Sequence, residues 1–492
     1  MKTLRIVLTT AILIAFVRCD FEGDSRSPNI LLIYVDDLGY SDLSCYGSAF
    51  GNDLTETPNI DRLAAEGMKF TDAYAAAPLC SPSRAALLSG KSPARLNFEF
   101  VTKYERDQYA WDSPEWKSRF EEMPLIPPPY TLALPLEEET LAEVLNQQGY
   151  NTGIVGKWHV APHYKRYKGW SPTLGPRQQG FDWAAETFGS HPYGYVKGKD
   201  FPEYKVGEFP IDSLTENAIR FLNENSESPD PFFLYVSHYY VHTPLSNRLE
   251  WLIDKYRQKA GNDVSEARIK YAAFVETMDH YVGQLLDALD DLELRENTLV
   301  VFTSDNGGHP DHAFNRPLRG SKWHLYEGGI RIPMMVRWPG HVEPGTISTD
   351  PVIQTDLLPT FLEVAGGKNQ NDELDGKSLV PLFDQDSDLE ARPLFWHFPY
   401  YHPEGPSFYE ASEQVGVEDE QKARTLPQSA IRKGKHKLLY FYEDERVELY
   451  NLEDDIQESN SLTMDKPDLA ISLKNELLTY LKTVNARLPI RK

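Results

Sequence analysis

Long apolar runs recur along the first two thirds of the chain, and polar residues directly follow each of them. The runs cover 29–35, 152–155, 232–237 and 298–304. A continuous apolar, β-branched run of this length is typical of a strand that is covered on both faces. An amphipathic pattern over 266–292 predicts a long helix between two of the runs. This alternation predicts an α/β fold, with a large, mixed but mostly parallel sheet flanked by helices.

Two further stretches of the same region carry local signals. Thr140 and Glu143 form a capping box that predicts the start of a helix running to Gly149. The stretch 96–135 is rich in aromatic residues and proline and has no clean period. We interpret it as an inserted loop near the mouth of a site and not as core.

The pattern changes in the last quarter of the chain. Residues 429–442 and 448–452 predict antiparallel strands, and 467–485 predicts a final helix. We therefore divide the mature chain into a large N-terminal domain over 28–385 and a smaller C-terminal subdomain over 386–492, built from an antiparallel sheet and a helix.

The first residues are typical of a signal segment. Basic residues precede a short apolar run over 6–17, which favours a secretory signal over 1–19 and an exported protein. Cys19 closes this segment, as in bacterial lipoprotein signals, whereas Arg18 is not the small residue usual before a lipidated cysteine. Both a periplasmic protein and a lipid-anchored one fit, and membrane attachment is expected only through a lipid on Cys19.

Composition and net charge limit the kinds of partner that the protein can bind. The 492 residues carry a formal net charge of −24, which argues against general nucleic-acid binding and requires a local cationic pocket for any anionic substrate. Beyond the leader, no apolar stretch is long enough to span a membrane. Only Cys45 and Cys80 remain after the leader, so the chain has no disulfide scaffold.

The polar residues after the four apolar runs are of types suited to chemistry. In open α/β sheets, ligands bind beyond the carboxyl ends of the strands, so these side chains should converge. Singly, each has a plainer interpretation, such as a solvated turn or a surface lysine. Together, carboxylates and an amide would suit Ca²⁺ or Mg²⁺, while cations and histidines would hold an anion and move protons. The groups are Asp36 and Asp37, Lys157 and His159, His242, and Asp305 and Asn306.

The stretch 78–91 reads PLCSPSRAALLSGK. Pro82 suits the first turn of a helix, which would place Cys80 at a helix N-terminus. A single cysteine is most often a small buried apolar residue. The whole string, however, resembles the signature of the formylglycine-dependent sulfatases, the arylsulfatase-type members of the alkaline phosphatase superfamily.

This resemblance covers nearly the whole chain from residue 29. It implies an alkaline phosphatase-like fold and a sulfuric ester hydrolase whose Cys80 is oxidised to formylglycine by a sulfatase-maturing enzyme. It also implies that the aldehyde hydrate attacks sulfur, that His242 with Lys322 protonates the leaving alcohol, and that His159 later removes a proton. Implied as metal ligands, for Ca²⁺ rather than Mg²⁺, are Asp36, Asp37, Cys80, Asp305 and Asn306. Implied as catalytic are Cys80, Arg84, Lys157, His159, His242 and Lys322.

The substrate stays open at this point. We expect a sulfated polysaccharide or oligosaccharide, either an algal one such as ulvan or a glycosaminoglycan. A phosphonate monoester or phosphodiester hydrolase of the same superfamily is the alternative enzyme, and a glycan-binding lipoprotein with unmodified Cys80 is the non-catalytic one. Some residues near the expected mouth could contact a sugar, although packing or surface structure explains each of them equally well. They are His309, His312, Arg316, Arg319, His397, Tyr400, Tyr401 and His402.

Overall fold

The computed structural model describes seven stretches of the chain, and every structural statement below concerns them. The predicted signal segment with Cys19, and the candidate His402, lie outside the described residues. The described residues are 27–188, 203–245, 249–261, 264–369, 371–383, 389–401 and 425–492.

An eight-stranded sheet forms the centre of the N-terminal part. The strands of all sheets in the described residues, in chain order, are β1 (Asn29–Val35), β2 (Met68–Phe70), β3 (Ala73–Tyr74), β4 (Leu125–Ile126), β5 (Asn151–Gly156), β6 (Trp183–Ala185), β7 (Phe232–Ser237), β8 (Thr298–Ser304), β9 (Met334–Arg337), β10 (Thr346–Ser348), β11 (Val352–Ile353), β12 (Pro393–Phe398), β13 (Gln428–Lys433), β14 (His436–Phe441), β15 (Val447–Asn451) and β16 (Ile490–Arg491). The strand order in the eight-stranded sheet is β10-β2-β9-β8-β1-β7-β5-β6. Strands β8, β1, β7, β5 and β6 are parallel, and β9 is antiparallel to both its neighbours.

The central strand β1 shows why the apolar runs form this sheet. Every residue of β1 is buried. The even-numbered residues from Ile30 to Tyr34 pack into one hydrophobic core, and the odd-numbered residues from Leu31 to Val35 pack into the other. A strand covered on both faces by helices needs apolar residues at every position. The predicted α/β class, with a mixed and mostly parallel sheet, is confirmed.

Helices cover both faces of this sheet. Two helix predictions agree with the structure. Thr140 caps α6 through a capping box, and a long helix, α9, occupies the predicted stretch 266–292. None of the helices in the described stretches is long and apolar enough to cross a membrane. The helices are α1 (Ser44–Gly47), α2 (Pro58–Ala65), α3 (Cys80–Ser89), α4 (Pro93–Leu96), α5 (Pro114–Ser118), α6 (Leu141–Gln147), α7 (Ser213–Asn225), α8 (Glu250–Ala260), α9 (Glu266–Asp291), α10 (Glu327–Ile330), α11 (Leu357–Val364), α12 (Val380–Phe383) and α13 (Pro467–Thr483).

A second, antiparallel sheet forms the C-terminal part. Its order is β12-β13-β14-β15, and α13 packs on it through Leu473, Leu477 and Leu481. The Trp396 indole on β12 donates a 2.8 Å hydrogen bond to the Ala75 carbonyl of the larger part. The predicted antiparallel sheet with a final helix is therefore present, while the exact division at 385/386 stays a prediction.

The interpretation of 96–135 as non-core is wrong in part. Trp116 is fully buried in a third hydrophobic cluster, and its indole donates a 2.8 Å hydrogen bond to the Pro127 carbonyl. Phe100 stacks on Tyr130 with 4.3 Å between ring centroids. These aromatic residues extend from a short helix and irregular backbone and pack against the C-terminal sheet and the segment around α10, so their burial leaves no regular period in the sequence. The same segment also reaches the pocket described next.

Candidate active site

The polar residues that follow the parallel strands meet at one edge of the sheet. Asp36 and Asp37 follow β1, Lys157 follows β5 and Asp305 follows β8, and all four side chains are fully buried. The carboxyl ends of neighbouring parallel strands lie side by side, which is why residues distant in sequence come together here.

Asp36 and Asp305 are each held by a buried cation. Lys157 Nζ makes a very short ion pair with Asp36 and lies 3.8 Å from Asp305 Oδ2. Arg84 Nη2 lies 2.8 Å from the same Asp305 oxygen. Burial, the largest single effect, would raise the pKa of Asp36, but Lys157 together with the other nearby cationic groups holds that pKa well below its usual range. For Asp305, burial and the neighbouring Asp36 prevail and raise the pKa to about 6.

Asp37 accepts contacts from three other site residues. Asn306 Nδ2 donates to Asp37 Oδ1 at 2.8 Å, and Lys322 Nζ lies 2.7 Å from Oδ2. His242 Nε2 lies 3.6 Å from the same Oδ2 atom. Burial opposes ionisation, yet Lys322 and then His242 bring the pKa of Asp37 far below its usual value. The carboxylate is therefore charged.

The donor set fits a divalent cation. Asp36, Asp37, Cys80 and His242 each offer one ligand atom, and these atoms lie within 4.8 Å of one another. Within the described part of the chain, Asp36 Oδ1 and the Asn306 side-chain oxygen are buried without a hydrogen-bond partner. Buried oxygens without a donor are costly, and a hard cation bound by several oxygens would satisfy them.

Helix α3 brings Cys80 to this cluster. All ten residues of α3 are buried, Leu79 before it is extended, and Gly90 ends it in the left-handed conformation with φ 66°. Cys80 Sγ lies 3.9 Å from Asp37 Oδ1. Burial raises the pKa of the Cys80 thiol to about 12, so the unmodified side chain is a neutral thiol and a weak nucleophile.

Arg84 lies one turn further along α3 and is fixed from several sides. Its Nη1 donates to Ser237 Oγ at 2.5 Å, and that hydroxyl donates to the Lys157 carbonyl at 2.6 Å. Arg84 also lies over the Tyr34 ring, 5.0 Å from its centroid. Ser237 is thus a supporting residue that the sequence did not single out, although its place as the last residue of β7 could have indicated it.

Of the two histidines after β7, only His242 faces the pocket. Its Nδ1 lies 2.6 Å from the Thr243 carbonyl and donates to it, which directs Nε2 towards Asp37. His238 is fully buried, and its burial lowers its pKa. His159 lines the same pocket as His242 and Cys80, and burial followed by Lys157 lowers the pKa of His159.

The suggested sugar-contact residues are dispersed. His309 lines the pocket and stacks on His312, whereas Arg316 is exposed. Arg319 does not reach the pocket, because its guanidinium donates to the Tyr450 hydroxyl and the Glu458 carbonyl, at 3.2 and 2.9 Å.

Three further suggested contacts are structural. His397 is held between Ser429 and the Arg487 carbonyl, Tyr400 is buried in the cluster around Trp116, and Tyr401 donates to Glu443. These contacts favour the interpretation of the three side chains as packing residues, and a contact with a sugar stays untested.

The pocket has a volume of about 340 Å³, and the sequence did not single out most of its lining residues, although the segment 96–135 was expected near the mouth of a site. Most of these residues come from the two segments 101–107 and 163–167. The second lies in the run HYKRYK, whose mixture of aromatic and basic residues was the available signal. The missed lining residues are Val101, Thr102, Lys103, Tyr104, Asp107, His163, Tyr167, Thr243 and Trp323.

Comparison with known proteins decides the family. The family model described as Sulfatase matches residues 28–367. This chain belongs to the sulfatase family. A second model, described as N-sulphoglucosamine sulphohydrolase, C-terminal, matches residues 321–485 of the sulfatase. The resemblance inferred from the stretch 78–91 is thereby confirmed, and the sulfatase is a sulfuric ester hydrolase.

Known relatives extend over most of the sulfatase chain. A sulfatase of Formosa agariphila is 32% identical, over 94% of this chain and 90% of its own. Human arylsulfatase A is 32% identical, over 92% and 82%. Among solved structures, Ps i-CgsB in complex with k-i-k-neocarrahexaose is 28% identical with a TM-score of 0.71, over 93% of each chain.

Proposed function

We propose that this sulfatase removes sulfate groups from a sulfated polysaccharide or oligosaccharide, using a formylglycine made from Cys80 and a bound divalent cation, Ca²⁺ in preference to Mg²⁺. The observation that carries the proposal is the position of Cys80. It lies at the start of α3, beside Asp37 and in one pocket with His159, His242 and Lys322. The similarity to Ps i-CgsB, solved with an oligosaccharide, supports a carbohydrate substrate.

Different residues around residue 80 would supply the nucleophile and the ligands of the cation. Formylglycine would supply, as its hydrate, a hydroxyl that attacks sulfur. Asp36, Asp37, Asp305 and Asn306, with residue 80, would hold the cation. Both Ca²⁺ and Mg²⁺ take oxygen ligands, but Ca²⁺ accepts more of them in less regular geometry, which is our reason for proposing Ca²⁺.

Cations of the chain itself would hold the sulfate group. Arg84 pairs with Asp305 and Lys157 pairs with Asp36, so both offset the negative charge of the buried carboxylates. Lys322 pairs with Asp37 and also lines the pocket, where its ammonium would meet the sulfate group. Fixed positive groups in a buried site stabilise developing negative charge without having to reorganise.

Two histidines would move protons. His242 has its Nδ1 fixed by the Thr243 carbonyl, so its Nε2 is the atom that would protonate the leaving oxygen. A bound sulfate ester brings negative charge next to this ring and favours its protonated form. His159 Nδ1 is buried and has no hydrogen-bond partner among the described residues, so it would accept a proton on the side of residue 80.

The decisive experiment is the mass of the peptide that contains Cys80. Replacement of sulfur by oxygen with two hydrogens fewer supports the proposal, provided that the same preparation releases sulfate from a sulfated oligosaccharide. An active preparation whose Cys80 is entirely an unmodified thiol would contradict it.

Rates on an aryl sulfate and on an aryl phosphodiester separate the sulfatase from a phosphonate monoester or phosphodiester hydrolase. An unmodified thiol without any turnover would instead indicate a glycan-binding lipoprotein.

The location and maturation of the protein complete the proposal. The apolar segment closed by Cys19 supports export to the periplasm or the cell envelope, and the string around Cys80 supports modification by a sulfatase-maturing enzyme. Cell fractionation and the mass of the N-terminal peptide test the first point. Co-expression with and without a maturing enzyme tests the second.

A further inference from the structure

Lys322 lies in an irregular loop over 319–326 that leads into α10, here called the Lys322 loop. Its Nζ lies 2.7 Å from Asp37 Oδ2, and the residue lines the pocket. The Lys322 amide donates a 3.0 Å hydrogen bond to the Gly308 carbonyl, and the Trp323 amide donates one of 3.0 Å to the Pro78 carbonyl. Since neither a helix nor a strand includes Lys322, contacts of this kind must fix its position.

The backbone directly after Lys322 is strained. Trp323 has a φ of 82°, and a positive φ is uncommon for a residue with a bulky side chain. Such a conformation persists only where the surrounding structure holds it. Part of that support comes from Gly329 on α10, because a Cβ atom at this position would overlap with the carbonyl oxygens of Ser321 and His324. Helix α10 therefore packs directly on the backbone around Lys322.

Arg319 joins the Lys322 loop to the C-terminal part of the chain. Its Nη1 donates to the Tyr450 hydroxyl at 3.2 Å and to the Glu458 carbonyl at 2.9 Å. Its guanidinium carbon lies 4.1 Å from the centroid of the Tyr326 ring. The Arg319 carbonyl accepts a 2.7 Å hydrogen bond from the Gly328 amide on α10. Arg319 thus connects the first residue of the loop with its last residue, with α10 and with the segment around β15.

Two carboxylates of the C-terminal part complete this contact. Glu448 Oε2, on β15, accepts from the Tyr326 hydroxyl at 2.7 Å and from the Tyr450 hydroxyl at 2.8 Å. Glu458 Oε2 accepts from the Glu327 amide, at the first residue of α10, at 2.7 Å. All five residues are buried. Buried hydrogen-bond networks of this kind rigidify the segments that they join.

We propose that Arg319 is a positioning residue for Lys322, and that residues 448–458 of the C-terminal part hold Arg319 in this role. Arg319 does not reach the pocket and acts through the Lys322 loop. The proposal rests on the proposed function, because the position of Lys322 matters only if this lysine acts on the sulfate group. Without Arg319, the strained backbone at Trp323 should relax and the Lys322 ammonium should shift.

The test is a double-mutant cycle of Arg319→Met and Lys322→Met. We measure kcat on nitrophenyl sulfate, whose good leaving group keeps slow variants measurable. A displacement of about 1 Å can cost about 10²-fold in rate, and we expect Arg319→Met to lower kcat by about this factor. Losses at independent sites multiply to within about twofold. In the Lys322→Met protein, by contrast, Arg319→Met should leave kcat within about twofold of the Lys322→Met value, because no lysine remains to be positioned.

Three further variants make the result specific. Arg446→Met is the matched control, because Arg446 Nε lies 3.2 Å from the other oxygen of Glu448, and its loss should leave kcat unchanged. Arg319→Lys should recover part of the rate, because it keeps a cation near the Tyr450 hydroxyl and the Glu458 carbonyl. Tyr450→Phe removes one acceptor of Arg319, should lower kcat in the same direction, and takes the place of Arg319→Met if that variant does not fold.

The outcomes against the proposal are distinct from one another. An Arg319→Met loss that is equally large in the Lys322→Met protein would make Arg319 a structural residue only. Unchanged kcat in folded Arg319→Met, or in folded Tyr450→Phe where that variant replaces it, would overturn the proposal, as would unchanged kcat in Lys322→Met. Failure of the wild-type protein to hydrolyse any sulfate ester would instead contradict the proposed function.

Discussion

The buried Lys437 should stabilise the protein in a way that depends on pH. Its Nζ lies 2.7 Å from Glu327 Oε1 and 3.0 Å from Glu458 Oε1, and all three side chains are fully buried where β14 meets α10 and the segment after β15. Burial, opposed by Lys437 and reinforced by Glu327, raises the pKa of Glu458 to about 7. Glu327 keeps a second cation, Arg331, at 3.2 Å, and its own pKa is lowered to about 2 because Lys437 and Arg331 outweigh burial.

Lys437→Met would leave Glu458 without its cation. Removing one partner of a buried pair costs about 3–5 kcal/mol when the other remains charged. Protonation of Glu458 avoids part of this cost. The usual pKa of 4.5 applies in the unfolded chain, so the native protein binds more protons above that pH and its stability falls up to about pH 7. In the variant the native pKa is higher, so the fall continues above pH 7 by about 1.4 kcal/mol per pH unit.

Urea unfolding at pH 6 and pH 8 measures this difference. We expect Lys437→Met to lose clearly more stability at pH 8 than at pH 6, and we expect the additional change Glu458→Gln to remove the difference between the two pH values. Lys435→Met is the matched control, because Lys435 lies two residues away in an exposed 3.3 Å pair with Glu453 and should matter little. Equal losses at both pH values would refute the reasoning.

Other substitutions test the catalytic residues and the core. His242→Ala should lose about 10²–10⁴-fold more rate on a sulfated sugar than on nitrophenyl sulfate, because only the sugar alcohol needs a proton to leave; a similar split for His238→Ala would move the acid there. Asp305→Ala, or excess chelator on the wild type, should lower kcat by about 10²–10³-fold or more, and full activity with no metal by elemental analysis would contradict a metal site. Cys80→Ala should abolish turnover without a change in Tm, and residual turnover near wild type would exclude this nucleophile. Trp116→Ala should destabilise by about 3–5 kcal/mol in urea unfolding, whereas a loop residue would cost little.

The sequence could predict the central sheet and the residues at its edge for one physical reason. A strand covered on both faces must be apolar throughout, so β1 and β8 are visible as runs, and a charged residue after such a run needs a partner. Asp36 and Asp305 were found in this way, and the structure brings them together. The shared edge follows from parallel pairing and needs no knowledge of side-chain packing.

Arg319 and Trp116 show where such reasoning ends. Arg319 stands three residues before Lys322 in irregular backbone, where neither a period of two nor one of 3.6 says which way a side chain points. Its direction is decided by Tyr450 and Glu458, which lie on the C-terminal part of the chain. Trp116 is buried because residues of the C-terminal sheet and of distant loops pack in one cluster with it, a contact that local composition does not contain.

The position of β1 in the middle of the sheet has a consequence for synthesis. Both neighbours of this first strand, β7 and β8, are made much later, beginning at Phe232 and Thr298. Until then, the ribosome has released a fully apolar strand with no edge to pair with, and contacts between such distant segments form slowly. Nascent chains in this condition are prone to aggregate and depend on chaperones. The yield of folded enzyme in an expression host should therefore depend on translation speed and chaperone supply more than on the stability of the finished fold.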